Sequence, residues 1–596
     1  MTLTLANIIR GDGKLRNNVV FNPKTYLLSN LVNDIETGNI ALPDLQRPFV
    51  WNSAKVRDLM DSLYKGLPIG VIILWEILEP GKYRKINLED MREPRFLVID
   101  GQQRLTSLFS IIKNKKIVNK DFKKIKIKIS FNPIEEKFEV WNAAIERNPE
   151  WISDISVIFH NSSTYSFVNS YLSRLKSRIS QNVISEERIA TNIERVKNIL
   201  NYPFSVLELS SELDPEEVSE IFVRINSKGK PLNQSDFILT LMAVYWESGR
   251  KEIEEFCEMS RRIPEGNKAT SFNMIGIRPN PEHLVRAVVG YSFLRGRLKY
   301  AYLILKGRDF ENKIISEELR ERNLGIFKEG HRRTLDLTNW HDFIKVIQGA
   351  GFVNEKLISS KIAFFVSYTL YLLGRYKCSV HYKELEKIIR KWFVFSLLTQ
   401  RYTGSPETTI EADLSLFRDN ESFVQKLEEI MESGLTHDYW NITLPQRLKS
   451  SSTENHAYLV YLASLIYSDI NVLFSDIKLR DYFNPLVKTK KKTIDRHHVF
   501  PRGFLQKLGV TDKKDINQVA NLIYIEYKDN ISIGDKPPKE YWHLLTKDLS
   551  SEEVQNILKT HDLPENFWEM DYHEFLTKRR MLMSRRIKEY FLKLGE

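Results

Sequence analysis

Cysteine is nearly missing from this chain: two thiols, Cys257 and Cys378, in 596 residues. They stand far apart within helical patterns. Neither a disulfide framework nor a cysteine-ligated zinc site is available, and a reducing compartment is expected. Long apolar runs are missing too, and no stretch approaches the roughly 18 residues of a membrane-spanning helix. The opening residues, MTLTLANIIRGDGKLRNN, have no basic segment leading into a long apolar one and no small-residue cleavage site. Secretion and membrane attachment are therefore not expected, and a cytoplasmic protein is. Repeats and low-complexity linkers are absent. Acidic residues fall short of basic ones, 77 against 88, which leaves a net charge of +11 and a pI near 9.1. That excess favours a polyanionic partner, nucleic acid above all. What remains is ordinary for a globular protein, 42% hydrophobic and 28% charged. The length exceeds what one core can hold, so two or three domains are expected.

The first third mixes strands and helices. NSAKVRDLMDSLYKG reads as a helix capped by Asn52 or Ser53 and stopped by Gly66. GVIILWE is a buried strand, KKIKIKISF alternates with period two, and KFEVWN follows closely enough to pair with it. From Glu247 to Asp438 the periods are helical, as in SSKIAFFVSYTLYLLGRY, with little strand signal. The last part has a lysine cluster ahead of TIDRHHVFP and ends in a basic helix, FLTKRRMLMSRRIKEYFLKL.

In FLVIDGQQRLTSLF a strand ends in Asp100-Gly101-Gln102-Gln103-Arg104 and a helix begins. Asp100 can cap that helix, with Gln103 reaching back in a capping box and Gly101 easing the turn. The remaining residues point to an anion. Backbone N–H groups at a helix start attract one. Arg104 opposes the helix dipole there, a poor choice for stability and a good one for phosphate. Gln102 and Gln103 add neutral donors. Upstream, IALPDLQRPFVW sets Gln46 and Arg47 between prolines, where a guanidinium is held in place. Downstream, FVRINSKGKPLNQSDF carries Asn226 and Lys228 in a polar, basic loop. The segments LPDLQRPFVW, KGLPIGVIILW, FLVIDGQQRLTSL and IFVRINSKGKPLNQSDF, in this order over about the first 240 residues, resemble the DGQQR domain of the GmrS half of GmrSD restriction systems. That domain is related to the ParB and sulfiredoxin fold. The resemblance implies binding and hydrolysis of a nucleoside triphosphate at the DGQQR loop. Asp100 would be a metal- or water-orienting group, or the cap.

An adjacent pair, His497 and His498, stands out because the chain has only twelve histidines. Neighbouring side chains diverge, which suits two jobs: one metal ligand and one base near neutral pH. A divalent cation would stabilise charge on a phosphodiester. Downstream, Asn521 and Asn530 bracket a strand-like run. Histidine pair, Asn, Asn in that order resembles the HNH motif, a ββα-metal hairpin, and more closely the GmrD-type HNH domain in the last 150 or so residues. The resemblance makes His497 the first metal ligand, His498 the general base, Asn521 the residue that orients the base-bearing loop, and Asn530 the final ligand. Asn530 stands where the familiar motif has His. An amide oxygen is a harder ligand that suits Mg²⁺ (or Mn²⁺) better than zinc, and Asp495 or His543 is the alternative ligand. Lys490, Lys491, Lys492, Arg579, Arg580, Arg585 and Arg586 are the expected contacts to DNA backbone.

The expected protein is thus α+β and multidomain. A ParB/sulfiredoxin-like nucleotide-binding domain would span 1–246, a helical connector 247–438, and a ββα-metal HNH nuclease domain in a helical surround 439–596. The expected function is nucleotide-regulated cleavage of foreign, modified phage DNA, with a homo-oligomer left open. The alternatives are a non-catalytic ParB-like switch that binds DNA, and a toxin nuclease acting on RNA or host DNA.

Overall fold

The computed structural model describes residues 19–41, 49, 51–76, 94–119, 123–161, 163–176, 185–213, 217, 218, 221, 239, 242, 246–261, 275–298, 300, 304, 307, 316–418, 422–484 and 494–596. The chain divides into two compact units, Met1–Thr240 and Leu241–Glu596.

The first unit is built on β1 (Phe21–Leu27), β2 (Ile40–Ala41), β3 (Ile72–Glu76), β4 (Phe96–Asp100) and β9 (Pro203–Leu209), in the order β1-β9-β3-β4-β2. The sheet is mixed: β3 runs antiparallel to β4 and parallel to β9. Small pairs flank it, β5 (Ile117–Val118) with β6 (Lys124–Ile125) and β7 (Ile129–Asn132) with β8 (Lys137–Val140). The strand period of two decides which side chains meet which core. Ile72, Leu74, Phe96 and Val98 face the larger core, built with α1 (Leu28–Glu36), α2 (Ser53–Tyr64) and α3 (Gln102–Ile112). Ile73, Trp75, Leu97 and Ile99 face a second core with Leu209, Val218 and Ile221. Both faces are buried, which is why β3 and β4 read as unbroken apolar runs. Asn52 caps α2 by accepting from the Lys55 amide, and Gly66 ends it at φ +69°.

The second unit is helical until the C-terminal part; among the described residues of 247–438 there is no strand. Helix Lys361–Tyr376 is buried along Ala363–Gly374 and packs against Pro281–Phe293 and Tyr382–Thr399. Trp340, Phe343, Phe364 and Tyr368 interlock beside it. Helix His456–Tyr467 packs on Tyr382–Thr399 and on the terminal helix Tyr572–Lys593. Between these last two helices in sequence lies a two-stranded antiparallel hairpin, β10 (Ile494–His498) and β11 (Leu522–Glu526). Its loop carries α4 (Arg502–Lys507), and α5 (Tyr527–Ile533) follows β11 directly; the terminal helix is α6. The mixed sheet and helical bulk agree with an α+β protein. Among the described residues no helix is long and apolar enough to cross a membrane.

Candidate functional site

Two clusters answer the sequence expectations, one in each unit. In the first, Gly101 sits at φ +92°, and a Cβ there would meet Ile72 Cδ1 at 2.2 Å. Only glycine permits this strand-to-helix corner. The capping box does not form, because the N-cap position belongs to Gly101, which has no side chain to accept with. Asp100 instead pairs with Arg104 at 3.2 Å. The Arg104 guanidinium is mostly buried and also donates to the carbonyls of Ile69, at 2.5 Å, and Val71, at 2.9 Å. Gly70, at φ +89°, lies so near that a Cβ would come within 2.7 Å of Arg104 Nη1. Gln102 Nε2 donates to the Val98 carbonyl, and Gln103 Oε1 accepts from the Trp51 amide. The structure thus brings Asp100, Gly101, Gln102, Gln103 and Arg104 together around the GLPIG turn. Gln46, Arg47, Asn226 and Lys228 lie outside the described residues.

In the second unit the hairpin separates its two histidines, as alternation along β10 requires. Asp495 and His497 share one strand face and meet Asn530 of α5. His497 Nδ1 lies 2.8 Å from Asn530 Oδ1, and Asn530 Nδ2 donates to Asp495 Oδ2 at 3.2 Å. Burial pushes the His497 pKa down to about 4. The ring is therefore neutral at pH 7, with Nδ1–H on Asn530 and the lone pair on Nε2. That Nε2 is buried and has no hydrogen-bond partner. Tyr541 stands edge-on to the ring at 5.7 Å and donates to the Val499 carbonyl.

His498 points to the other side, where its Nε2 lies 3.0 Å from Asn517 Oδ1. Burial lowers its pKa as well. Asn521 is fully buried and braces the loop: it accepts from the Phe500 amide and donates to the carbonyls of Phe500 and Ile516. The same loop is held from outside by α6. Arg579 donates to the Ala520 carbonyl, Arg580 to Gln518, and Tyr572 to the Asp515 carbonyl.

These contacts correct the expected DNA surface. Arg579 is 1% exposed and sits in the core, where no phosphate can reach it. Arg586 pairs with Asp562 and donates to the carbonyls of Lys559 and Thr560. Arg580 is half-buried, and Arg585 is exposed on α6. Lys490, Lys491 and Lys492 lie outside the described residues. His543, the alternative ligand, is exposed against Trp568, whereas Asp495 joins His497 and Asn530. Asn517 and Tyr541 were not singled out as functional from sequence. Asn517, four residues before Asn521 in INQVAN, has only ordinary loop chemistry to mark it.

Among the described residues no three His, Cys, Asp or Glu side chains converge as a cation would require. The donors gathered around Asn530 are the Asp495 carboxylate at its Nδ2, its own amide oxygen, and His497 Nδ1 at that oxygen. These are hard to borderline donors that fit Mg²⁺ or Mn²⁺; His497 would ligate through Nδ1, the nitrogen that faces Asn530, with its proton moved to Nε2.

Residues 28–243 match the family model for the GmrSD restriction endonuclease, N-terminal domain. The match supports a GmrSD-like family and a nuclease of restriction or defence, with DNA as its substrate. A curated protein of Methanocaldococcus jannaschii, itself named only as uncharacterized, is 24% identical over 594 residues, 92% of this chain and 93% of that one. The likeness extends well beyond the N-terminal domain.

Proposed function

We propose that this protein is a metal-dependent HNH endonuclease that cuts foreign, modified phage DNA under the control of a nucleoside triphosphate bound and hydrolysed by its first unit. The observation that carries the reading is the division of labour on β10: one histidine tied through an amide to a carboxylate, its neighbour oriented by a second amide. His498 acts as general base. With Nε2–H directed at Asn517, Nδ1 takes the proton of a water whose oxygen attacks phosphorus; the P–O bond to the leaving sugar oxygen breaks, and that oxygen takes up a proton. Asn521 fixes the loop that aims His498. Asp495, His497 and Asn530 would hold Mg²⁺ or Mn²⁺, which when bound stabilises charge on the phosphate and on the leaving oxygen.

In the first unit, the α3 start offers backbone N–H groups, Gln102, Gln103 and Arg104 to phosphate, with Asp100 orienting water or a cation. Occupancy exchanges part of Arg104's grip on Ile69 and Val71 for phosphate oxygens, so nucleotide and the GLPIG turn move together. In this reading residues 1–246 sense nucleotide, 247–438 connect and 439–596 cut. The deciding experiment incubates the full-length protein with unmodified and modified phage DNA, Mg²⁺ or EDTA, and a panel of nucleotides. Mg²⁺-dependent cuts that EDTA abolishes are expected. No cleavage of any DNA under any nucleotide would sink the proposal.

A further inference from the structure

Beside His498 lie two arginines that neither the fold nor the machinery described so far uses. Arg496 precedes it by two residues on β10, so both side chains leave the same strand face. Arg502 follows the short turn after β10 and opens α4. Both guanidiniums are exposed, and both are close enough to act electrostatically on the His498 ring. Many of the surface arginines are paired, as Arg57, Arg95, Arg188, Arg195 and Arg332 are, while others such as Arg147, Arg480 and Arg585 pair with no described residue; what sets Arg496 and Arg502 apart is their place beside the His498 ring. Neither Arg496 nor Arg502 makes an ion pair or hydrogen bond with any described residue.

One carboxylate does pack beside Arg502, against the next residue. Asp535 packs against Gly503, where a Cβ would come within 2.2 Å of its carboxyl carbon, and accepts from the Gly503 amide at 3.1 Å. Yet Arg502 is not paired with it. A cation in the first turn also opposes the helix dipole. Neither an ion pair nor the helix dipole therefore explains these guanidiniums, although Arg496 also stands opposite Tyr524 in the hairpin register.

We propose that Arg496 and Arg502 form a clamp on the reacting phosphodiester, gripping its non-bridging oxygens on the side from which His498 delivers the attacking water. The inference deepens the nuclease reading and rests on it. A guanidinium grips phosphate bidentately and in a fixed plane. Two of them converging on one phosphate would set the in-line approach and offset the charge that grows as the new P–O bond forms. The distinct consequence is that they act on turnover more than on DNA affinity, because the rest of the duplex binds elsewhere.

The test uses the full-length protein with Mg²⁺ and a substrate that the wild type cuts, comparing Arg496→Ala, Arg502→Ala and the two lysine variants. Melting temperatures should match the wild type, since neither side chain holds the fold. Each alanine variant is expected to lower kcat at saturating DNA by about 10²-fold or more with KM changed by about threefold at most, and lysine to recover only a small part. DNA affinity, measured by fluorescence anisotropy in a His498→Ala background, should change little. If kcat is kept while KM rises, the salt slope falls by about one and lysine restores both, the residues are ordinary backbone contacts and the clamp is overturned. Full activity in all four variants overturns it too, with the nuclease reading intact. A wild type that cuts nothing overturns the nuclease reading itself, and the clamp with it.

Discussion

His498 owes its proposed chemistry to what its ring nitrogens touch. A histidine left to water would wander among rotamers; this one has Nε2 held 3.0 Å from an amide oxygen and is otherwise wrapped in protein. Removing the ring removes the base, so His498→Ala is expected to lower cleavage by about 10²–10⁴-fold while nucleotide hydrolysis and melting temperature stay near wild type. Asn517→Ala keeps the base and loses its aim; one hydrogen bond of about 1 kcal/mol predicts roughly a five- to tenfold loss in kcat with KM unchanged. Steady-state cleavage of a plasmid substrate reads both. Near-normal nicking by His498→Ala would remove that residue from the mechanism, and an unaltered kcat for Asn517→Ala would make its contact incidental. The two residues differ in how they could be read from sequence. An adjacent histidine pair is rare enough to notice, whereas Asn517 becomes visible only once the loop is folded back on β10.

At the scale of elements, the two ends of the chain use arginine in similar ways. Arg104 ties α3 to the turn before β3, and Arg579 ties α6 to the loop before β11; each does so through backbone carbonyls. Phosphate chemistry was the expectation for both, and for Arg579 the signal against it was present. Phe575, Arg579, Met583 and Ile587 recur every four residues, which puts Arg579 on the buried stripe of the helix. Arg579→Ala is therefore expected to destabilise the second unit by about 3 kcal/mol or more, from a cavity and an unpaired Ala520 carbonyl. Arg585→Ala should leave the melting temperature unchanged. Equal melting of both variants and wild type would show that Arg579's burial carries no stability. Local signals such as the Asn52 cap, the Gly66 stop and the β11 run between two asparagines were legible, because each is decided within a few residues. The absent capping box was not legible: it depended on Ile72 crowding Gly101 from another strand. Gly70→Ala tests the neighbouring contact, between the turn and Arg104. It should destabilise the first unit by about 1–3 kcal/mol, since φ +89° is strained for alanine and the new methyl meets Arg104. A melting curve identical to wild type would contradict it.

For the whole molecule, the first consequence concerns pH. His331 and His561 are buried in the second unit, and burial pushes their pKa values down to about 4 and about 3. Unfolded, each titrates near 6.5. Because the unfolded chain binds these protons more readily, the stability they contribute is fully present above pH 6.5 and is lost as pH falls toward 4. At pH 5 the loss is about 2 kcal/mol for each. Melting scans from pH 7.5 to 5 should show a falling midpoint, and His561→Gln should flatten that slope; parallel slopes would contradict the assignment.

The second consequence concerns control. A nuclease with its own base and cation site would endanger the DNA of any cell that held it in a constantly active form. The proposed gate is the α3 corner, where a bound phosphate would compete for the guanidinium that now donates to the Ile69 and Val71 carbonyls. That competition would give two arrangements of the GLPIG turn, and a nucleotide that favoured one of them would bias whatever depends on it. Any such bias is reciprocal in binding free energy: if nucleotide changes DNA affinity by a factor, DNA changes nucleotide affinity by the same factor. Coupling of about 1–3 kcal/mol, roughly five- to 150-fold, is expected. Titrating labelled nucleotide with and without saturating DNA, in the His498→Ala protein so that the DNA stays intact, measures it directly. Arg104→Ala should weaken nucleotide binding and abolish the coupling together. Identical dissociation constants with and without DNA, and cleavage indifferent to every nucleotide, would mean that the two units work independently.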